Sequence, residues 1–537
     1  MMQERRTLDR PSLVVLAAAI AILGVIAVHL GADSNGDLRN YHYYGGWALL
    51  HKQVGYDLAP AQLQTYHHPL LDALYYVVSR ALNRHPLAFT FVWSIPQSVA
   101  VWLAFLIARQ CLGFVARGRG RGRDGLALIA AAIGAGGATS IGVIGTSMSE
   151  GVPNALMLAA IWLVLRADGR MRAGLGGAAG YGGAGLLAGA GAVLKLTTTP
   201  YLIGFAAAIP AAMLLEPRVG RWRGLVAFGA GAAGAIAVVG GPWWLAVYRA
   251  FGNPLFPYYN TVFHSPLYLD QDFFDTRFLP QSVREWVLYP LEWGLRRSTR
   301  VSEMPARDLR ILLELLAGLG VVGAAVIARW RGRLPPERVA AVWCAVYVIA
   351  AYVVWLKMFS ILRYASGLET LSGVMIVAGL ALLPVGVWPQ AGAALAVAVL
   401  LAATTVVPTW ERRVHPGKRL VGTDMPTLPA DSTVLVLGPF EKAFLAPFEP
   451  VSVRWIGIQD SLVTLDNHTG FEALIGRTVA AAPGPIWDMV DGATPPDAER
   501  QWLIRFHLQR GLCQTVTATI APPMTLCRLE RTDNPRP

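Results

Sequence analysis

The chain runs to 537 residues, 54% of them hydrophobic and 15% charged, with a mean hydropathy of +0.44 and a net charge of +12. Soluble domains carry roughly 25% charged residues, so there is too little charge to coat a water-facing surface, and disorder and nucleic-acid binding both fit poorly. Four cysteines exclude a disulfide-rich scaffold. The arginines fall in short clusters between long apolar runs, which is the pattern of a polytopic α-helical membrane protein.

A helix needs about 20 apolar residues to cross the hydrocarbon core. Eleven runs are candidates: residues 12–32, 88–110, 125–145, 153–166, 174–194, 200–215, 224–246, 309–328, 339–356, 365–384 and 390–408. The first follows Arg5, Arg6 and Arg10. It is too long for a signal-peptide apolar region, and His29-Leu-Gly-Ala32 is a poor cleavage site, so it reads as a retained helix. The Gly/Ala-rich stretch near 173–194 reads as small-residue helix packing.

With the N-terminus in the cytoplasm and the helices alternating, the short cytoplasmic segments hold eighteen basic residues: Arg5, Arg6, Arg10, Arg109, Arg117, Arg119, Arg121, Arg123, Arg166, Arg170, Arg172, Arg218, Arg221, Arg223, Arg329, Arg331, Arg333 and Arg338. The short outer turns hold three: Lys195, Lys357 and Arg363. This asymmetry predicts a cytoplasmic N-terminus and puts three long segments outside, 33–87, 247–308 and 409–537. Asp37, Asn260 and Asn467 are thus expected outside and Arg119 inside.

The last segment alternates strand-like runs (Ser432–Leu437, Val451–Ile456) with a helical stretch near Asp497–Gln509, which predicts a small α/β domain. The expected division is therefore a membrane module over 1–408 and a periplasmic C-terminal domain over 409–537. Cys513 and Cys527 fall in this domain, where an oxidising compartment would let them close a hairpin-like segment; two free thiols are the alternative.

The first outer segment opens with Asp33-Ser-Asn-Gly-Asp37-Leu-Arg-Asn-Tyr41-His42-Tyr43-Tyr44. A carboxylate at a helix end beside aromatic residues sits where a lipid-borne head group would present itself, and burial and neighbouring cations can tune it as a general base. Helix capping by Asp33 and Asp37 is the plainer account. His67 and His68 diverge as sequence neighbours, and no His-x-x-x-His or Cys-x-x-Cys accompanies them, so a sugar contact or surface role is expected rather than a metal site. No metal and no cofactor are expected.

Asp37-x-x-x-Tyr41, Gly45-Gly46-Trp-Ala-Leu-Leu50, Tyr56 and Thr65-Tyr66-His67-His68-Pro69-Leu70 together resemble the opening of polytopic GT-C glycosyltransferases, nearest to the glycosyltransferase family 87 type. The resemblance covers the first helix and first loop, with weaker echoes as far as the tenth helix. It implies a sugar transfer from a polyprenyl-phosphate-linked donor to a lipid, glycan or protein acceptor at the outer face of a bacterial inner membrane, inverting, with Asp37 as base. Asp33 offers a second carboxylate four residues earlier and leaves that assignment open. Tyr41 and His42 are expected at the substrate.

Further along, Glu150 lies in the turn Thr146-Ser-Met-Ser-Glu150, either capping it or adding an acid near the acceptor. Lys195 ends a helix in Leu194-Lys195-Leu-Thr-Thr-Thr-Pro200, where it either snorkels to head groups or, by the family resemblance, meets phosphate. The segment from Gly252-Asn253-Pro254 through Asn260 to Glu303-Met-Pro-Ala-Arg307-Asp308-Leu-Arg310 is rich in proline and aromatics, as suits a loop on the bilayer surface. Its arginines, Arg307 and Arg310 among them, suit either anionic lipid or a carrier phosphate. Arg363-Tyr364 resembles the Arg-Tyr at the same topological place in GT-C enzymes, implying a bidentate donor to the leaving phosphate, with Glu369 as its salt partner. The rivals are a lipid or sugar transporter or flippase without covalent chemistry, which should show half-repeats around a midplane site, and an O-antigen ligase or polymerase relying on outer-loop Arg and His. No Walker A pattern is present, so ATP-driven transport is unsupported.

Overall fold

The computed structural model describes residues 9–115, 120–332, 334–438, 441–458, 462–464, 468–492 and 496–532. Arg5, Arg6, Arg117, Arg119, Arg333 and Asn467 lie outside the described residues, as do the side chains of Arg121 and Arg218.

Each of the eleven apolar runs forms a helix. Among the described residues, eight are long and apolar enough to cross a membrane: Arg10–Leu30 (α1), Pro86–Cys111, Gly151–Arg172, Leu196–Leu215, Trp222–Phe251, Arg310–Trp330, Pro336–Met358 and Val387–Thr404. The remaining three, Gly120–Ala135, Ala178–Leu194 and Ser366–Leu380, have 16, 17 and 15 residues. At 1.5 Å per residue they fall short of the roughly 30 Å core, so the expected eleven spans resolve into eight full-length helices and three shorter ones. The chain is a multi-pass membrane protein.

Ser366–Leu380 is encased: every residue from Ser366 to Ala378 is buried. Its crossing with Gly120–Ala135 depends on small residues. A Cβ on Gly373 would sit 1.9 Å from the Ala130 carbonyl oxygen, and one on Gly134 would sit 2.2 Å from that of Thr370. Backbones can approach this closely only where neither helix carries a side chain, which is how helices associate when lipid removes the hydrophobic drive between them.

The three long non-membrane segments gather at one end. Ala32–Asp33 (β1), directly after α1, pairs antiparallel with Arg412–Arg413 (β2), which follows the last apolar helix. Beyond it lies a five-stranded sheet of Thr433–Val436 (β3), Arg454–Gly457 (β4), Ile486–Asp491 (β5), Leu508–Ala518 (β6) and Ala521–Arg531 (β7), in the order β4-β3-β5-β7-β6. β3 is parallel to β4 and β5, and β7 is antiparallel to β5 and β6. Cys513 and Cys527, opposite each other on β6 and β7, form a disulfide.

Every residue of β3 is buried because both faces of the sheet are covered. The period-two alternation sends Leu435 and Leu437 to a core with Phe471, Ile475 and Trp502 from the domain's own helices. Val434 and Val436 go to a different core, with Tyr43, Tyr44 and Trp47 of the first outer segment. That segment also joins the sheet edge: the Leu58 N–H donates to Trp455 O at 3.0 Å and the Gly457 N–H donates to Leu58 O at 2.8 Å. Buried Asp57 completes the joint, accepting from Tyr44 Oη and from the Trp455 N–H, each at 2.8 Å. The segment that begins with Asp33 and Asp37 is therefore clamped between helices and sheet.

Candidate active site

Asp37 opens the helical turn Leu38–His42, which is wound more loosely than an α-helix, in π geometry. Such turns recur at functional sites because the extra residue re-aims side chains. The next helix, Tyr43–Leu50 (α2), presses against Leu70–Ala81 (α3) at Gly46, where a Cβ would lie 2.3 Å from the Asp72 carbonyl oxygen. This contact brings α3 to the turn and sets Asp72 Oδ1 2.6 Å from His42 Nδ1.

Arg363 Nη1 donates to Asp37 Oδ2 at 2.8 Å. Its Nη2 donates to Tyr364 Oη at 3.3 Å and lies 3.5 Å from Glu303 Oε1. Arg363 and Tyr364 stand on the tight turn Leu362–Ala365 that leads into Ser366–Leu380. Tyr201 Oη fixes that turn by donating to the Tyr364 carbonyl at 2.7 Å. Lys195, where Ala178–Leu194 unwinds, donates to Met148 O at 2.5 Å and to buried Glu150 Oε1 at 2.6 Å. On the other flank the Tyr41 ring lies 4.0 Å from that of His42 and edge-on to His67 at 5.6 Å. His67 Nε2 meets Tyr258 Oη of the second outer segment at 3.0 Å.

The electrostatics follow from this crowding. Burial pushes the Asp37 carboxyl up, but the charge of Arg363, with His42 and Lys195 behind it, more than offsets that and holds it below the usual carboxylate range. Burial is the larger influence on Asp72, which stays above its ordinary value despite His42. His67 is pushed down to about 4 by burial and by the neighbouring charge of His42, so it is neutral near pH 7. The site thus sets an ionised, half-buried carboxylate against a guanidinium and an ammonium, walled by aromatic rings.

Of the residues singled out in the sequence, Asp37, Tyr41, His42, His67, Glu150, Lys195, Arg363 and Tyr364 are brought together here. Asp33 is not: it is fully buried, with Oδ1 accepting from the Asn35 N–H at 3.0 Å and Oδ2 from the Ser147 N–H at 2.7 Å. His68 turns to the Val239 carbonyl. Asn260 ties its own loop together, bonding Ser265 and Leu269. Arg307 donates to Thr404 O, and buried Arg310 is taken up by Asp308, Ile133 O and Thr405. Glu369 is not the partner expected for Arg363. It faces the opposite way, accepting from the Thr139 and Ser140 N–H groups, while Arg363 turns to Asp37 and Glu303.

Asp72, Glu303, Tyr201 and Tyr258 were missed as site residues. Asp72 had a readable signal, a lone carboxylate among apolar neighbours in Leu70–Ala81 just after His67-His68-Pro69. Among the described residues, no group of three or more His, Cys, Asp or Glu side chains is arranged to hold a metal ion.

The chain combines a helical membrane module, a first outer segment clamped against it and a small sheet domain. Its architecture is similar to the crystal structure of ArnT from Cupriavidus metallidurans bound to undecaprenyl phosphate, with a TM-score of 0.52 over 96% of this chain and 97% of that one. Identity is 10%, so the likeness is one of fold. No family model and no curated protein matches the sequence.

Proposed function

We propose that the protein is a glycosyltransferase that moves a sugar from a polyprenyl-phosphate-linked donor to a hydroxyl-bearing acceptor at the outer face of a bacterial inner membrane. The observation that carries this reading is the Asp37–Arg363 pair, at 2.8 Å, at the loop-bearing end of a fold shared with a protein crystallised with undecaprenyl phosphate. A base and a phosphate-binding cation side by side are what a single displacement at a glycosyl phosphate needs.

In this reading Arg363, Lys195 and the Tyr364 hydroxyl hold the carrier phosphate, the guanidinium supplying two donors in a fixed fork. Glu150 orients Lys195. Asp37 takes the proton of the acceptor hydroxyl as its oxygen bonds to the anomeric carbon. The bond from that carbon to the phosphate oxygen breaks, and the electron pair leaves on the polyprenyl phosphate, whose charge the two cations stabilise. One displacement inverts the anomeric carbon. Phosphate bound to Arg363 competes with Asp37 for the guanidinium and adds a negative charge beside it, both of which raise the carboxylate's basicity when the substrate is in place. Asp33, with both oxygens taken by backbone donors, has no such freedom.

The test is a panel of polyprenyl-phosphate-linked hexoses and pentoses given to the purified full-length protein with crude membrane glycolipid as acceptor source, scoring free polyprenyl phosphate and product stereochemistry. Acceptor-dependent release with inversion supports the reading. Transbilayer movement of an intact lipid-linked sugar, with no bond broken, rejects it in favour of a flippase.

A further inference from the structure

The second outer segment contains a helix, Val283–Leu295 (α4), that the site does not use. Ser282 caps it, Oγ accepting from the Glu285 N–H at 3.2 Å. Two contacts fix its level in the molecule. A Cβ on Gly294 would meet the Asp308 carbonyl oxygen at 3.4 Å, two residues before Arg310–Trp330 begins. The Lys357 ammonium, in the last turn of Pro336–Met358, stands 5.9 Å from the centre of the Trp286 ring. Both neighbours are ends of full-length apolar helices, so α4 runs at the height where hydrocarbon gives way to head groups.

Around its axis α4 has three faces, set by a rotation of about 100° per residue. Trp286, Tyr289 and Trp293 share one side and pack into the core of the membrane module. Glu285 and Glu292, seven residues apart, share the second. Val283, Val287, Leu291 and Leu295, each four residues from the next, line the third. Of these Val283, Val287 and Leu295 are 82%, 69% and 58% exposed. An apolar stripe left open at the membrane boundary is covered by acyl chains, as in helices that lie in the interface.

Cations border the stripe. Arg284 stands in the first turn, Arg296 and Arg297 directly follow the helix, and Lys357 flanks it. All four are exposed, and the three arginines have no carboxylate partner among the described residues. Against them α4 sets one free carboxylate among the described residues, Glu292, since Arg300 engages Glu285 at 2.7 Å. The combination is complementary to an acidic phospholipid, whose tails take the stripe and whose phosphodiester takes the guanidinium groups. Arg307 and Arg310, the arginines that the sequence offered for that role, are turned onto Thr404 O and Asp308 instead.

We infer that α4 is an interfacial helix that binds anionic phospholipid of the adjoining leaflet through Arg284, Arg296, Arg297 and Lys357. Val283, Val287 and Leu295 lie in the acyl region. The anchored segment continues to the turn that carries Arg363, where the Leu362 N–H donates to Val301 O at 2.6 Å. This anchor stands whether or not the protein transfers a sugar.

The experiment titrates full-length protein in detergent with phosphatidylglycerol and with phosphatidylcholine, counting bound lipid by native mass spectrometry. The wild type is expected to retain phosphatidylglycerol in preference to phosphatidylcholine. Arg296→Gln combined with Arg297→Gln should weaken phosphatidylglycerol by about fivefold for each cation removed, with phosphatidylcholine unchanged. Depth is read separately, from nitroxide labels on Val287→Cys and Glu292→Cys in phosphatidylglycerol-containing bilayers. The label at Val287 should be relaxed by lipid-soluble oxygen and the label at Glu292 by a water-soluble nickel complex. Equal retention of the two lipids by the wild type, a preference that survives the double substitution, or nickel relaxation at Val287 overturns the inference. One-for-one displacement of phosphatidylglycerol by undecaprenyl phosphate would assign the cations to a carrier lipid and overturn it equally.

Discussion

Arg363 and Asp37 are 326 residues apart in sequence and joined by one hydrogen bond of 2.8 Å. The carboxylate arrives on the first outer segment, held by its clamp to the sheet. The guanidinium arrives on a turn fixed by Tyr201 at the top of a buried helix. In the proposed mechanism each is half of a displacement site, and each neutralises the other until substrate comes between them.

Asp37→Asn keeps the shape of the side chain and removes its basicity. Transfer should fall by about 10²–10⁴-fold. Affinity for polyprenyl phosphate should hold or rise, because Asp37 no longer competes for Arg363. Equilibrium binding and single-turnover rates on the same preparation check both. Asp33→Asn should behave differently: a donor replaces one of two buried acceptors, costing about 1–3 kcal/mol of stability, while turnover per folded molecule is kept.

For Arg363, lysine supplies charge without the fork. Arg363→Lys should weaken polyprenyl phosphate binding by about tenfold and Arg363→Ala by about a hundredfold, in line with one or two charge-assisted hydrogen bonds. Glu369→Gln should leave that affinity unchanged, since Glu369 serves the Thr139 and Ser140 amides. Carrier titrations of all three variants decide this.

The joint at Asp57 predicts a pH dependence. Burial pushes its carboxyl up to about 7, against an ordinary value of 3.8. The folded protein therefore holds this proton more tightly than the unfolded chain. The stability it contributes is full below about pH 4, declines by about 1.4 kcal/mol per pH unit at most as pH rises, and is gone above about 7. His67 contributes with the opposite sign, losing stability as pH falls from 6.5 toward 4. Subtracting Asp57→Asn from wild type isolates the first effect: the difference in thermal stability should shrink from pH 4.5 to 7 and then level.

Gly46→Ala places a methyl group where the Asp72 backbone already stands, 2.3 Å away. Overpacking of this kind costs about 1–3 kcal/mol, and separating α2 from α3 should pull Asp72 from His42. Loss of both thermal stability and transfer, measured on the purified variant, is the expected result.

How much of this was legible in the sequence depends on the range of the signal. Apolar runs locate helices because membrane solvation acts on each segment alone, so each expected run contains a helix, eight of them long and apolar enough to cross a membrane among the described residues. Which helices are full length was harder, because a helix such as Ser366–Leu380 is buried by partners rather than by lipid. Asp37, Lys195 and Arg363 each stood at a readable helix end. Their convergence did not show, and neither did the turning of Arg310 onto Asp308 or of Glu369 onto backbone amides, since those partners lie on distant segments. Asp57 was invisible for the same reason: its role exists only once the first outer segment meets the sheet.

In the proposed mechanism Asp37 is the base facing a phosphate held by Arg363. Single-turnover release of polyprenyl phosphate from a bound lipid-linked sugar, compared between wild type and Asp37→Asn at saturating donor and acceptor, tests it most directly. A loss of at least a hundredfold with donor occupancy intact is expected. Wild-type release by Asp37→Asn at full occupancy would contradict it.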